Sequence, residues 1–130
     1  MRTAIDVQVM HQPDDLTVIA RHAGREIGRM NVMLKPVGAK VVTVSVEAAH
    51  RRLGIATQLY EVAARTACED FGVPLVSGIA RSPAAEVFWQ KQLAKGRAAT
   101  RIDPETGRPF YALTCPAPRG LGRRGPGSAQ

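Results

Sequence analysis

Little cysteine, few aromatic residues and no long apolar run set the first limits on this chain. Two cysteines, Cys68 and Cys115, are too few for a disulfide framework and lack metal-ligand spacing, so the reducing cytoplasm is the expected setting. One tryptophan, two tyrosines and three phenylalanines give no array of rings on which bases could stack. No stretch reaches the roughly 18 apolar residues of a membrane-spanning helix. Asp6 interrupts the N-terminal run MRTAIDVQVM, which makes a poor signal peptide. Acids are also short, with 11 Asp and Glu against 18 Lys and Arg, for a net charge of +7. Arg119, Arg123 and Arg124 lie in an acid-free stretch, Pro116 to Gln130, and account for three of the seven charges. The remaining excess is ordinary and does not by itself call for a nucleic acid partner.

What is present suits one domain. A chain of 130 residues with 45% apolar content can bury a single core. Ile5, Val7 and Val9 alternate with Asp6 and Gln8, the period of a half-buried strand. Leu16 to His22 and Glu26 to Leu34 read as two further strands, and Ala23-Gly24-Arg25 between them predicts a hairpin. Lys40 to Val46 is rich in β-branched residues and predicts a central strand covered on both faces. A helix follows, with Ile55, Leu59, Val62, Ala63 and Ala67 on one stripe and Glu61, Arg65 and Glu69 opposite. Cys68 falls on it as a packed small hydrophobe. Gly72 and Pro74 end that helix.

Leu75 to Ile79 reads as a short strand. Ser82-Pro83 then opens a second helix, with Ala84, Val87, Phe88 and the Lys91 stem inward and Gly96 at its close. Asp103 to Gly107 is a turn, and Pro109 to Cys115 a last strand. Pro116 to Gln130 is Pro, Gly and Arg without apolar periodicity, and reads as a disordered basic tail after a domain of residues 1–115. The order β-β-β-β-α-β-α-β predicts an α+β (mixed α/β) fold.

One segment concentrates the chemistry. Between the fourth strand and the first helix lies Arg51-Arg52-Leu53-Gly54-Ile55-Ala56. A helix start offers backbone N–H groups without intrahelical partners and the positive end of the helix dipole. Small residues at 54 and 56 let a ligand come close, and the arginines add charge. The segment is a candidate cradle for phosphate or pyrophosphate.

These residues resemble the signature of the GNAT superfamily of acyl-CoA-dependent N-acyltransferases: Arg or Gln, two residues, Gly, one residue, then Gly or Ala. Arg51-x-x-Gly54-x-Ala56 meets it, after a β-branched strand and before a helix. A second family segment, Asn-x-x-Ala-x-x-Phe/Leu-Tyr, is matched by Ser82 to Trp89. The resemblance spans about residues 16 to 115. It implies a mixed, mostly antiparallel sheet with a β-α-β-α-β C-terminal half. It further implies acetyl-CoA as cofactor, its pyrophosphate on the backbone of Arg52, Leu53, Gly54, Ile55, Ala56 and Thr57 beside Arg51, and its pantetheine along Val44, Ser45 and Val46. The fourth and fifth strands would splay to admit the thioester. Ser82 and Trp89 would also face the cofactor.

The match has departures. Family members carry helices between the first two strands, where this chain has only His11 to Asp15. Ser82 stands for the usual Asn, and Trp89 for a tyrosine that protonates the departing thiolate. A carboxylate found in some relatives falls at Ser77. Glu47 and His50 are the candidate bases, and Tyr111 and Cys115 the candidate proton donors. Two readings follow: transfer of an acetyl group to an amine of a small molecule or protein, or a catalytically weak GNAT-fold binding module. The basic tail allows direction to nucleic acid, and exposed strand edges allow a homodimer.

Overall fold

The computed structural model describes residues 5–51 and 53–115. Its first four strands form a meander: β1 (Ile5–His11), β2 (Asp15–His22), β3 (Arg25–Lys35) and β4 (Gly38–Val46). The β2–β3 connection is the predicted hairpin. Ala23 and Gly24 both take positive φ, 52° and 80°, as a two-residue primed turn requires. The helix α1 (Ile55–Phe71) follows, then β5 (Leu75–Val76), α2 (Pro83–Ala94) and a closing hairpin of β6 (Ala98–Ile102) and β7 (Pro109–Leu113). All seven strands join one sheet in the order β1-β2-β3-β4-β5-β7-β6. Only β4 and β5 run parallel; the other pairs are antiparallel. The fold is the α+β mixed sheet expected.

The core lies between α1 and the sheet. Ile55, Leu59, Ala63 and Ala67 pack with Leu16, Val18, Met30, Val32 and Leu75. Tyr60 joins them and meets Phe88 of α2 face to face at 3.8 Å. Trp89 stands edge-on to both rings, at 5.9 and 5.3 Å between centroids. This aromatic cluster sets the roll of α2 and corrects the expected inward face. Trp89 and Gln92 are buried, whereas Val87 is 55% exposed and Ala84 lies at the surface. The indole is the largest apolar group on the helix, and its burial outweighs that of a valine.

Three further expectations change. The sequence reading misses β6, whose residues are almost all exposed, because an edge strand shows no apolar alternation. Strand β5 holds two residues instead of five. The strand β4 is central but open over Val42, Thr43 and Ser45, which are exposed. Asn31 pairs with Thr43 and Val32 with Val41, so Val42 is an extra, bulged residue. Pairing of β4 with β5 stops just before it, at Ala39–Leu75 and Lys40–Val76. A bulge bends the strand that carries it, and here it turns β4 away from its neighbour. Gly38 fixes the start of this contact: a Cβ there would lie 2.6 Å from the Pro74 carbonyl oxygen.

The cysteines are paired. Cys68, in the last turns of α1, is bonded to Cys115 beyond β7, with Cα atoms 5.6 Å apart. Cys115 is therefore no proton donor and Cys68 no free hydrophobe. Proximity created by folding is what two isolated cysteines 47 residues apart could not announce. Disulfides persist mainly in oxidising compartments, so the cytoplasmic expectation loses the free thiols on which it stood. No described helix is long and apolar enough to cross a membrane. The expected tail, 116–130, lies outside the described residues.

The cross-link closes a loop holding β5, α2, β6 and β7. Chain-entropy arguments put its effect at roughly 2–4 kcal/mol. Reduction, or a Cys68→Ser/Cys115→Ser pair, should lower the urea midpoint accordingly. An identical midpoint with and without reductant would show that the cross-link contributes nothing.

Candidate active site

The parting of β4 from β5 opens a cleft of about 990 Å³. Val41 to Val46 form one wall and Ser77, Gly78 and the start of α2 the other. The first turn of α1 closes one end with Gly54, Ile55, Ala56 and Thr57. Gly54 sits at φ 80°, ψ 11°, a left-handed conformation that glycine adopts without a Cβ penalty. It is the N-cap of α1, and a glycine has no side chain with which to cap. The first intrahelical bond of the turn is Gln58 N–H to the Gly54 carbonyl, at 3.0 Å. The N–H groups of Ile55, Ala56 and Thr57 thus lie ahead of the helical ladder, at the end of the cleft.

Charge around the cleft is one-sided. Arg51, Arg81, Lys91 and Lys95 line it, and among the described residues no carboxylate does. Arg81 is neutralised by Glu86, at 2.7 Å. Arg51 turns its Nε to the Val46 carbonyl, at 3.1 Å, and so ties the cradle to the end of β4. Cations with a helix start and no opposing acid make a site for an anion.

The sequence-predicted residues divide. Val44, Ser45, Val46, His50, Arg51, Gly54, Ile55, Ala56, Thr57, Ser82 and Trp89 all contribute to the cleft. Leu53 does not and is 63% exposed; Arg52 lies outside the described residues. Ser82 caps α2, its Oγ accepting from the Ala85 N–H at 3.1 Å, and its hydroxyl proton stays available to a ligand. Trp89 is buried and offers the cleft only part of its surface. Ser77 is committed on both sides, donating to the Gly78 carbonyl and accepting from the Tyr111 N–H. It supplies no charge.

Two proposed catalytic groups are held away from the cleft. Tyr111 donates its hydroxyl to Glu86 Oε2 at 2.9 Å and accepts from Gln90 at the same distance. Hydrogen bonding to Glu86 raises its pKa above the ordinary 10, which makes it a poorer acid. Glu47 is gripped by Arg25 through both carboxylate oxygens, one contact at 3.0 Å. That hydrogen-bonded ion pair holds its carboxyl below the usual range, which makes it a poorer base. Both placements have one cause: charge partners brought from parts of the chain distant in sequence, Glu86 on α2 and Arg25 on β3. Sequence reasoning also missed Tyr60, Arg81, Lys91 and Lys95 on the cleft wall; only the four-residue spacing of the lysines hints at a shared face.

No family model and no curated protein sequence matches the chain. Solved structures do. One is a protein from Bacillus anthracis described as a candidate streptothricin acetyltransferase, with acetyl coenzyme A bound (TM-score 0.57, 17% identity, covering 79% of this chain and 62% of that one). Another is an IAA acetyltransferase from Bacillus cereus (TM-score 0.58, 15% identity, 85% and 97% covered). This chain has the GNAT fold. A third example of the fold is the PaiA N-acetyltransferase from Thermoplasma acidophilum in complex with coenzyme A (TM-score 0.55, 15% identity, 76% and 59% covered). The chain spans about three fifths of the length of the first and third of these proteins. The departure noted in the sequence is real in this GNAT fold: β1 leads into β2 through Gln12 to Asp14, with no helix between.

The cluster beside α2 predicts an acid limb of stability. Arg81, Gln90 and Tyr111 lower the Glu86 pKa from 4.5 to about 2. Because the folded-state value is the lower one, the stabilisation is complete above pH 4.5 and is lost as pH falls towards about 2. Urea midpoints across that window should drop in the wild type and flatten in Glu86→Gln. Parallel curves would remove Glu86 from the account.

Proposed function

We propose that the chain is an acyl-CoA-dependent N-acyltransferase, using acetyl-CoA on a primary amine. The observation that carries this reading is the uncapped start of α1, which opens on a cleft lined by cations and no acids. A pyrophosphate diester needs such a cradle, and the Gly54 turn leaves room for it. The strand Val44–Val46 and the apolar surfaces of Phe88, Tyr60 and Trp89 fit a pantetheine arm. Bound acetyl-CoA would supply the activated acyl group as a thioester.

The chain's own residues then hold and orient. Ile55, Ala56 and Thr57 present N–H groups, Arg51 and the α2 lysines add charge, and the exposed end of β4 offers unpaired backbone. Neutral amine attack needs positioning, oxyanion donors and a proton acceptor. Loss of an acid at Trp89 is tolerable: a thiol with pKa near about 8.5 leaves without full protonation, and such acids contribute ~10²–10⁴-fold.

A second reading, binding without turnover, is favoured by the burial of Trp89 and the commitment of Tyr111 to Glu86. It predicts acetyl-CoA binding with no amine-dependent consumption. Calorimetry with acetyl-CoA tests both. Binding is expected, and Gly54→Glu should weaken it at least ~100-fold, about 2.7 kcal/mol, by straining a left-handed position and placing a carboxylate at the cradle. No heat of binding at hundreds of micromolar would sink either reading.

A further inference from the structure

Every residue of β4 from Val41 to Val46 lines the cleft. Side chains of a strand alternate between faces, so the opening passes through the parted sheet and has a mouth on each side. One mouth lies beneath α1 and α2, whose Leu59, Tyr60 and Trp89 share one core. The other lies on the face that carries neither helix. Lys40 stands at that second mouth, as the last residue of β4 to pair with β5, opposite Val76. Its neighbour Ala39 is buried in the core under α1, so Lys40 points to the other face, where Val76 packs with Phe110 and Ala112. The lysine stem reaches across the fork. Its Cε lies 3.6 Å from where a Cβ on Gly78 would be, and Gly78 belongs to the second cleft wall. Lys40 is half-buried and forms no ion pair among the described residues. Asp15 shares its row through Met33, but two strand spacings put their backbones roughly 10 Å apart. The nearer side chains are uncharged. Met33 and Val42 are 40% and 49% exposed, and Ile79 packs with Val76 and Phe110. Thr17, Asn31 and Thr43 form the next row and hydrogen-bond to one another. A cation without an acid attracts an anion, and no described carboxylate lines the cleft to hold a polycationic amine.

We propose that Lys40 anchors the carboxylate of the acceptor, and that the acceptor is a free α-amino acid with an apolar side chain. This rests on the acyl-transfer reading. There the cradle sits beyond the end of β4 and the pantetheine runs back along Val46, Ser45 and Val44, so the acyl end points to the fork. An acceptor entering by the helix-free face meets it there. With its carboxylate on Lys40, an α-amino acid keeps its amine beside the fork and lays its side chain against Met33, Val42 and Ile79. The amine nitrogen bonds to the acyl carbon, the C–S bond breaks with its electron pair on sulfur, and the proton released by nitrogen ends on the thiol. One N-acetyl amino acid and one thiol result, with no further reactant. Lysine amines on a protein surface lack the adjacent carboxylate, and polyamines carry charge of the wrong sign.

Calorimetry on the full chain comes first, and absence of acetyl-CoA binding overturns the parent reading together with this one. With CoA bound, N-acetyl-L-leucine, the product of such a transfer, should bind roughly 10-fold more tightly than N-acetyl-L-leucinamide, the difference that one charge-assisted hydrogen bond makes. Equal affinities, or no binding of either, overturn the Lys40 assignment alone. Lys40→Met should bring the acid down to the level of the amide, and an unaltered preference in that variant overturns the assignment. Lys40→Arg should keep the preference, which a merely structural role would not require. Acetyl-CoA affinity measured on each variant separates a lost anchor from a lost fold. In turnover, L-leucine should be acetylated ahead of L-leucinamide and spermidine, and Lys40→Met should raise the KM for L-leucine but not for L-leucinamide. Faster turnover of spermidine overturns the acceptor class. So does acetylation of Lys40 itself, read by mass spectrometry of its peptide, because an anchor has to keep its charge.

Discussion

The candidate site of this molecule depends on β4 and β5 touching through two residue pairs and then parting. The bulge at Val42 bends β4, Gly38 lets the Pro74 carbonyl approach at the other end, and between them the sheet is opened without being cut. Continuous pairing would have filled the space with backbone hydrogen bonds and left no cleft. The separation also leaves β4 beyond Lys40 without a β5 partner, an edge with which a ligand can pair. The same geometry delivers the chain to the start of α1, so cleft and anion cradle arise from one turn of the chain.

Electrostatics then sort the polar residues into two kinds. Glu86, Tyr111, Gln90 and Arg81 form a closed set of hydrogen bonds behind α2 and serve the fold. The cleft side of α2 carries Lys91 and Lys95 without an acidic partner among the described residues. Arg25, Glu47 and His50 belong to both kinds. Arg25 and Glu47 join the hairpin before β3 to the turn after β4, and His50 carries that order into the cleft wall. Exposed pairs of this type contribute little stability, but they fix the orientation of the groups they join.

The Cys68–Cys115 bond has a comparable position in the architecture. It joins the far end of α1 to the chain just beyond β7, the last strand in sequence, and the segment between them includes all of the second cleft wall. No helix lies between β1 and β2, and the covalent tie adds a constraint to the layers that are present.

Local pattern was enough for much of this. The period of two in Ile5–Val9, the Ala23-Gly24 turn, the stripe from Ile55 to Ala67 and the glycine before the helix all follow from nearest-neighbour sterics and amphipathicity. They sufficed to place the cradle at Gly54 to Thr57. Other features had no local cause. The run VVTVSV is uniform in β-propensity, so the bulge at Val42 depends on its register against Asn31 and Val32. The roll of α2 depends on where Trp89 finds Tyr60. The fates of Glu47 and Tyr111 depend on Arg25 and Glu86, which are distant in sequence, and the disulfide on two ends of the fold meeting. The sequence by itself determined the segments and the turn that opens α1 on the cleft, because those rest on contacts a few residues apart. The tertiary structure decided which side chains are free to react, because a charged or thiol group is spent or spared by partners that only folding brings to it.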